Sequence, residues 1–141
     1  MTLESEVRQH IGEIVEGLRA KDLEALRRVY APDVVSFDVE PPLQHVGVEA
    51  KLKNWAKVFT LFEKVDYELR DLTVHVRADL AVGHGFGRIS GTLPDGTAIE
   101  GMWVRATFVL RKLDGAWMIV HDQASVPFDV ATGRGVADLE P

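Results

Sequence analysis

The chain has 141 residues, of which 46% are hydrophobic and 27% charged, and its formal net charge is −6. This length fits a single domain, residues 1–141, that can bury a sizeable core without covalent cross-links. The absence of cysteine excludes disulfides, thiolate metal sites and a cysteine nucleophile. A negative net charge without any lysine and arginine cluster argues against a nucleic-acid partner.

The N-terminal segment Met1–Glu6 is acidic and leads directly into a periodic segment. It has neither the basic region nor the apolar region of a secretory signal. No apolar run approaches the roughly 20 residues that a membrane span needs. We therefore expect a cytoplasmic protein that does not associate with membranes.

Three amphipathic helices are expected in the first half of the chain. The first has apolar residues at helical spacing from Leu3 to Leu18, and the second begins at the N-cap Asp22 and continues to Tyr30. The third begins after Gly47. Its inner face is formed by Leu52, Trp55, Phe59 and Phe62.

Strands follow the helices. Residues 34–38 form a short strand, and alternation of apolar and polar residues predicts strands at 65–76, 80–93, 98–112 and 116–126, with an irregularity near Asp71. Turn signals lie at 94–97 and at Asp114-Gly115, and the tail from about residue 129 to 141 is left unassigned. These turns are too short for crossover helices, so the pattern predicts an α+β fold with an antiparallel sheet.

Two parts of the chain resemble the SnoaL-like proteins of the nuclear transport factor 2-like (ketosteroid isomerase-like) superfamily. They are the helix-to-strand segment at 21–26 (KDLEAL) and 30–38 (YAPDVVSFD), and the last hairpin at 105–110 (RATFVL), 114–117 (DGAW), 120–121 (VH) and 125–127 (SVP). The resemblance implies a cone of three N-terminal helices packed on a curved, mostly antiparallel sheet, with a cavity at the wide end and commonly a homodimer. The superfamily includes isomerases, cyclases, hydrolases, dehydratases and non-catalytic modules, so the fold alone does not determine function.

Asp38 ends the first predicted strand, where the resemblance places the proton-shuttling carboxylate of ketosteroid isomerases. A buried carboxylate beside a carbonyl substrate can act as a general base. The alternative is that Asp38 only caps the turn before Glu40-Pro41-Pro42. The isomerase oxyanion hole is missing, because Ile14 stands at its helical tyrosine position and the strand around Arg105 has no acid. We therefore do not expect a steroid isomerase.

Arg105 shares one strand face with Trp103 and Thr107, opposite Val104 and Ala106, because side chains alternate along a strand. The resemblance favours the Arg105 face as the cavity face. There the guanidinium would stabilise an anionic substrate group or pair with Asp38. The alternative is a solvated outer face.

His121 is placed by alternation on a face with Trp117, Ile119, Gln123 and Ser125. This mixture of apolar and polar residues suits a cavity wall, where His121 is a candidate general acid or base; a structural histidine is the alternative. Many relatives have a second histidine where this chain has Gln123, so we expect no two-histidine metal site and no cofactor.

His84 lies among glycines 83, 85 and 87 and is a further pocket candidate. A GxGxG pattern within a strand is not a phosphate loop, and strand curvature explains it better. The histidines at 10, 45 and 75 form no recognisable constellation. Tyr30, Trp55 and Trp103 are candidate apolar pocket residues, with core packing as the alternative.

The leading hypothesis is a cavity protein that binds a small hydrophobic or carbonyl-bearing molecule and acts on it by acid/base catalysis. Asp38 is the base, Arg105 stabilises the anion, and His121 is a polar wall residue. This hypothesis requires all three side chains to meet in one cavity, and it fails as stated if Arg105 points to solvent. The alternative is a non-catalytic ligand-binding or oligomerisation module.

Overall fold

Three helices and nine strands form the structure, a computed structural model that describes residues 1–141. The helices are α1 (Leu3–Arg19), α2 (Leu23–Arg27) and α3 (Val48–Leu61). The main sheet contains β1 (Tyr30–Phe37), β2 (His45–Val46), β3 (Lys64–Arg77), β4 (Leu80–Thr92), β5 (Ala98–Ile99), β6 (Trp103–Leu113) and β7 (Ala116–Ser125). A separate hairpin follows, made of β8 (Phe128–Asp129) and β9 (Arg134–Gly135).

The strand order of the main sheet is β2-β1-β7-β6-β4-β3, and β5 pairs with β4. Every pairing is antiparallel except that of β1 with β7, which is parallel. The α+β class with a mostly antiparallel sheet is therefore confirmed, while the cone shape stays an expectation. None of the helices is long and apolar enough to cross a membrane.

The second helix is shorter than the sequence indicates. Its N-cap is confirmed, because the Asp22 side chain accepts a hydrogen bond from the N–H of Ala25 at 3.0 Å. The helix ends at Arg27, however, and Tyr30 begins β1 and pairs with Ile119 of β7. Pro32 disfavours a helical conformation in the residue before it, so strand pairing replaces the last expected helical turn.

The expected irregularity near Asp71 is confirmed. Asp71 has a φ of 57°, and the register of β3 against β4 shifts between Arg70 and Thr73. The extra residue moves the inward positions from odd numbers before the shift, such as Tyr67, to even numbers after it, such as Val74. The apolar side chains therefore stay on one face along the whole strand.

The strand expected at 98–112 is divided into β5 and β6. Gly101 lies between them with a φ of +74°, and its backbone runs against the carbonyl of Ile89, where no side chain would fit. The unassigned tail also contains structure, since β8 and β9 form a short hairpin there.

The core lies between the helices and the inner face of the sheet. Ile11 of α1 is fully buried, and its Cδ1 atom occupies the space that a side chain at Gly83 of β4 would need. A Cβ atom at Gly83 would lie 2.8 Å from that atom. This glycine therefore permits close packing of α1 against the sheet, as glycine in a strand often does.

We predict that Gly83→Ala lowers the free energy of unfolding by about 1–3 kcal/mol through overpacking. The loss should be smaller in an Ile11→Val background, which lacks the Cδ1 atom. Urea denaturation of the four proteins in this cycle measures the coupling. Gly12→Ala in α1 is the control, because no atom lies within 4 Å of its added Cβ. Equal costs of Gly83→Ala in both backgrounds would contradict the packing described here.

Candidate functional site

A mostly apolar cavity of about 400 Å³ lies between α3 and the inner face of the sheet. Volumes of this order are usual for small-molecule sites. Its apolar wall includes Ile14, Trp55, Val58, Phe62, Ile89, Val104 and Phe108. Its ionisable lining residues include Asp38, Lys51 and Asp122, which contact one another and are called here the carboxylate–lysine cluster.

Lys51 is the centre of this cluster. Its side chain is only 4% exposed, and Nζ lies 2.9 Å from Asp38 Oδ1 and 3.3 Å from Asp122 Oδ2. Nζ also lies 5.6 Å from the ring centroid of Tyr30 and 5.3 Å from that of Trp55. The ammonium is therefore held by two carboxylates and two aromatic rings, an environment that stabilises a buried cation.

Asp122 is held in place by the parallel pairing of β1 with β7. This pairing puts Asp122 directly beside Ser36, and the Ser36 hydroxyl donates to Asp122 Oδ1. Both residues are buried. The hydroxyl and the Lys51 ammonium together compensate the carboxylate for its loss of water.

Asp38 immediately follows β1 and receives donors from α3. Asn54 Nδ2 donates to Asp38 Oδ2 at 3.0 Å, while Lys51 occupies Oδ1. His45 of β2 also approaches, with Nε2 at 3.4 Å from Asp38 Oδ2. That approach brings the groups close without the geometry of a hydrogen bond, and His45 Nε2 is buried without a partner.

Burial alone would lower the pKa of the Lys51 ammonium. The negative charges that face it, on an ionised Tyr30 and on the Asp122 and Asp38 carboxylates, outweigh burial and raise that pKa above its usual value. At neutral pH Tyr30 is un-ionised, because burial raises the pKa of its phenol, so the two carboxylates hold the proton on Lys51. Lys51 is therefore an ammonium and not a free amine nucleophile.

The second phenol of the cavity belongs to Tyr67 of β3. Burial raises the pKa of Tyr67 to about 12, so its hydroxyl also keeps its proton. Tyr30 differs in that its hydroxyl already accepts a hydrogen bond from Trp55 Nε1 at 3.3 Å. The cavity thus contains two neutral phenols beside one buried cation.

The expectation that the Arg105 face meets the cavity is wrong. Val104, Ala106 and Phe108 line the cavity, while Arg105 is exposed on the outer face and bonds to Ser125 Oγ at 3.2 Å. The other two members of the predicted face are also outside. Trp103 lies under the guanidinium groups of Arg70 and Arg88, and Thr107 accepts from Gln123 Nε2 at 2.9 Å.

A bulge in β7 places His121 on the outer face as well. The pairing with β6 shifts between Val109 and Leu110, so that Val120 is an extra residue between Ile119 and His121. The side chains of Trp117 and Ile119 therefore point inward, whereas those of His121, Gln123 and Ser125 point outward. The assumption of strict alternation placed them on one face and is wrong here.

The outward residues have their own contacts. His121 Nδ1 lies 2.7 Å from the carbonyl oxygen of Val35, and its ring packs edge-on against Phe37. Gln123 borders the cavity, but its amide is bound to Thr107 outside. His84 is exposed and stacks on His75, with 5.9 Å between ring centroids.

Four of the expected site residues do line the cavity: Asp38, Tyr30, Trp55 and, at its border, Gln123. Asp38, Arg105 and His121 do not converge, so the catalytic hypothesis in that form fails. Four further polar residues of the site could not be singled out from the sequence pattern used above: Lys51, Asn54, Asp122 and His45. A signal for Lys51 does exist in the sequence. It lies one helical turn before Trp55, on the helix face that continues with Val58 and Phe62, and a charged residue at the start of an apolar stripe is unexpected.

No group of three or more histidine, aspartate or glutamate side chains is arranged to hold a metal ion. The cluster instead has a cation of its own, the Lys51 ammonium. The site can therefore supply carboxylates as proton acceptors and an ammonium as a hydrogen-bond donor, both within a mostly apolar cavity.

Residues 7–129 match the family model of the SnoaL-like domain. A crystal structure of an NTF2-like protein of unknown function from Pseudomonas putida KT2440 has 33% identity and a TM-score of 0.85, covering 98% of this chain and 96% of that one. An NTF2-like superfamily protein from Salmonella enterica has 19% identity and a TM-score of 0.79, with 94% and 96% covered.

A ketosteroid isomerase-like protein from Erwinia carotovora has 19% identity and a TM-score of 0.71, with 86% of this chain and 94% of that chain covered. At this level of identity the likeness concerns the fold. No protein of curated function matches this sequence. The predicted superfamily is confirmed, and the reaction has to be inferred from the cavity.

We predict that ionisation of Tyr67 contributes to a loss of folding stability at alkaline pH. The folded-state pKa of about 12 lies above the usual value of about 10, so the unfolded chain loses this proton first. The resulting stability is fully present below about pH 10 and is lost as the pH rises through about 12, amounting to about 3 kcal/mol. Urea unfolding between pH 9 and 12 should show a smaller decline for Tyr67→Phe than for the wild type. Equal declines would contradict the buried, protonated phenol.

Proposed function

Because the chain belongs to the SnoaL-like family, whose fold does not fix a reaction, we propose from its cavity that it is an acid/base enzyme acting on a small hydrophobic carbonyl compound. The observation that carries the proposal is the 2.9 Å contact between the Asp38 carboxylate and the Lys51 ammonium inside a mostly apolar cavity. Asp38 is the base, as the sequence indicates, and Lys51 takes the anion-stabilising role expected of Arg105.

In the proposed reaction, Asp38 removes a proton from the carbon next to the substrate carbonyl. The electron pair of that C–H bond moves toward the carbonyl and produces an enolate. Each Asp38 oxygen already accepts one hydrogen bond, from Lys51 or from Asn54, and a carboxylate oxygen has a second lone pair for the substrate proton. These donors also fix the carboxylate in one orientation, which a general base requires.

Lys51 stabilises the enolate oxygen. An ammonium has three N–H donors, of which two point to Asp38 and Asp122, so one remains for a substrate oxygen. A fixed charge in an apolar, water-poor cavity stabilises developing negative charge more strongly than the same charge in water. If the substrate has a β,γ double bond, return of the proton from Asp38 to the γ-carbon moves that double bond into conjugation and completes an isomerisation. If the substrate instead has a hydroxyl on the β-carbon, the enolate electron pair forms a C=C bond as the C–O bond breaks, and hydroxide leaves as water with the proton held by Asp38, which completes a dehydration.

The expected substrate is small and largely hydrophobic. The cavity of about 400 Å³ is lined by 22 residues, 15 of them hydrophobic, so binding is favoured by removing apolar surface from water. Two carboxylates and one ammonium give the cluster a net charge of −1, which disfavours a carboxylate-bearing substrate.

We predict that Asp38→Asn abolishes proton removal while the protein stays folded. The assay is hydrogen–deuterium exchange at the carbons next to the carbonyl of 2-tetralone in D₂O, followed by NMR. The amide cannot accept the proton, so exchange should fall by about 10²–10⁴-fold. Lys51→Met should also slow exchange, by about 10²–10³-fold, because the enolate oxygen loses its charged donor.

Arg105→Gln distinguishes this assignment from the one based on sequence. With Lys51 as stabiliser, Arg105→Gln should exchange at the wild-type rate, as should the matched outer-face variant Arg111→Gln. Exchange by Asp38→Asn at the wild-type rate would refute Asp38 as the base. Binding of 2-tetralone without exchange by the wild type would favour the non-catalytic ligand-binding alternative.

We also propose that the outer face of the sheet joins two copies into the expected homodimer. This face is not covered by any helix and contains partly exposed apolar residues such as Phe86 and Val109 beside Arg70, Arg88 and Arg105. A two-fold dimer through it would bring arginines of both copies close together. Salt screens such repulsion.

The predicted result is therefore stronger dimerisation at 500 mM than at 50 mM NaCl, measured by sedimentation velocity. Val109→Glu should weaken the dimer, because it places a charge within the buried area. A monomer at every salt and protein concentration would contradict the proposed homodimer, and weaker association at high salt would contradict the arginine-rich interface.

A further inference from the structure

Tyr67 differs from the other buried and half-buried polar side chains of the cavity because its hydroxyl makes no hydrogen bond within the chain. Its backbone N–H donates to Asp66 Oδ1 at 2.8 Å, and its carbonyl accepts from Arg19 Nη2 at 3.1 Å. The side chain lines the cavity and is almost wholly buried. The hydroxyl oxygen is not among the fully buried atoms without a partner, so it opens onto the cavity, and its hydrogen bond has to be made there, to water or to a ligand.

The opposite strand is shaped to admit this hydroxyl. Gly87 of β4 lies where a side chain would overlap the Tyr67 oxygen, and an added Cβ would also lie only 2.9 Å from Tyr67 Cζ. Tyr67 and Gly87 are not direct partners in the sheet, since Tyr67 pairs with Ile89 and Gly87 with Leu69. The absence of a side chain at Gly87 thus leaves the phenol room to extend along the inner face.

We propose that the Tyr67 hydroxyl donates a hydrogen bond to a second oxygen of the ligand, so that the ligand is a hydrophobic molecule with two separate oxygen acceptors. One oxygen meets the carboxylate–lysine cluster and the other meets Tyr67. This inference rests on the proposed function only in using the same cavity. It requires ligand binding but not proton transfer.

Two further features support a donor role. The phenol stays protonated at neutral pH, because burial raises its pKa to about 12. The other phenol, on Tyr30, already accepts a hydrogen bond from Trp55 and lies against Lys51. Tyr67 is therefore the phenol whose oxygen makes no hydrogen bond within the protein, whereas the Tyr30 phenol is held against Trp55 and Lys51.

The test uses two rigid probes of nearly equal shape. One is 2,6-diacetylnaphthalene, and the other is 2-acetyl-6-isopropenylnaphthalene, in which a methylene group replaces one carbonyl oxygen. Calorimetry should show that the wild type binds the diketone about five- to tenfold more tightly, as one neutral hydrogen bond gives. Tyr67→Phe, checked for folding by circular dichroism, should bind both probes equally.

Three variants make the result specific. Tyr30→Phe is the matched control and should keep the preference for the diketone. Gly87→Ala keeps the hydroxyl but displaces it, so this variant should lose the preference. Asp38→Asn should keep the preference even though proton exchange is lost, which separates a failure of the subsite from a failure of the proposed reaction.

The inference is overturned if the wild type binds both probes with affinities within a factor of two. It is also overturned if Tyr67→Phe retains the preference, or if Tyr30→Phe abolishes it. Failure of the wild type to bind either probe would refute this inference and count against the cavity as a site for hydrophobic ketones. Loss of exchange in Asp38→Asn with the preference intact supports both proposals.

Discussion

The buried ammonium of Lys51 is the interaction on which the site depends. It joins α3 to the end of β1 through Asp38 and to β7 through Asp122, so three separate parts of the chain meet at one nitrogen atom. Removing three charged groups from water is costly, and an apolar cluster of the same shape would often be equally stable. The contribution of the charged cluster to folding stability therefore does not explain why this cluster occurs. A charged cluster facing a cavity is better explained by what it does to a ligand.

The arrangement of the helices and strands could be predicted from sequence because it depends on local signals. The Asp22 cap, the turn at Asp114-Gly115 and the change of apolar residues from odd to even positions near Asp71 are all visible in the sequence. The end of α2 was less predictable, because pairing of Tyr30 with β7 is a contact between distant residues. Local propensity cannot register such a contact.

The site was predicted less well, because the inward-facing residues were assigned wrongly in two strands. Successive side chains of a strand alternate between the inner and the outer face of the sheet. One unrecognised bulge therefore reverses the predicted face of every residue beyond it. The bulge at Val120 moved His121 outward and Asp122 inward. No glycine or polar signal marks it, unlike the break near Asp71. For Arg105 the alternation itself was correct, and the error lay in choosing the face by resemblance.

The same reasoning limits what can be transferred from relatives of similar fold. At the helical position where an isomerase has a tyrosine donor, this chain has Ile14, which only adds apolar wall. Its potential oxygen-binding groups come from elsewhere: Lys51 from α3 and Tyr67 from β3. Because the donors approach from different elements, a ligand oxygen would sit differently relative to Asp38 than in an isomerase. The shared fold thus accounts for the cavity, while the orientation of any ligand within it depends on the side chains that line it.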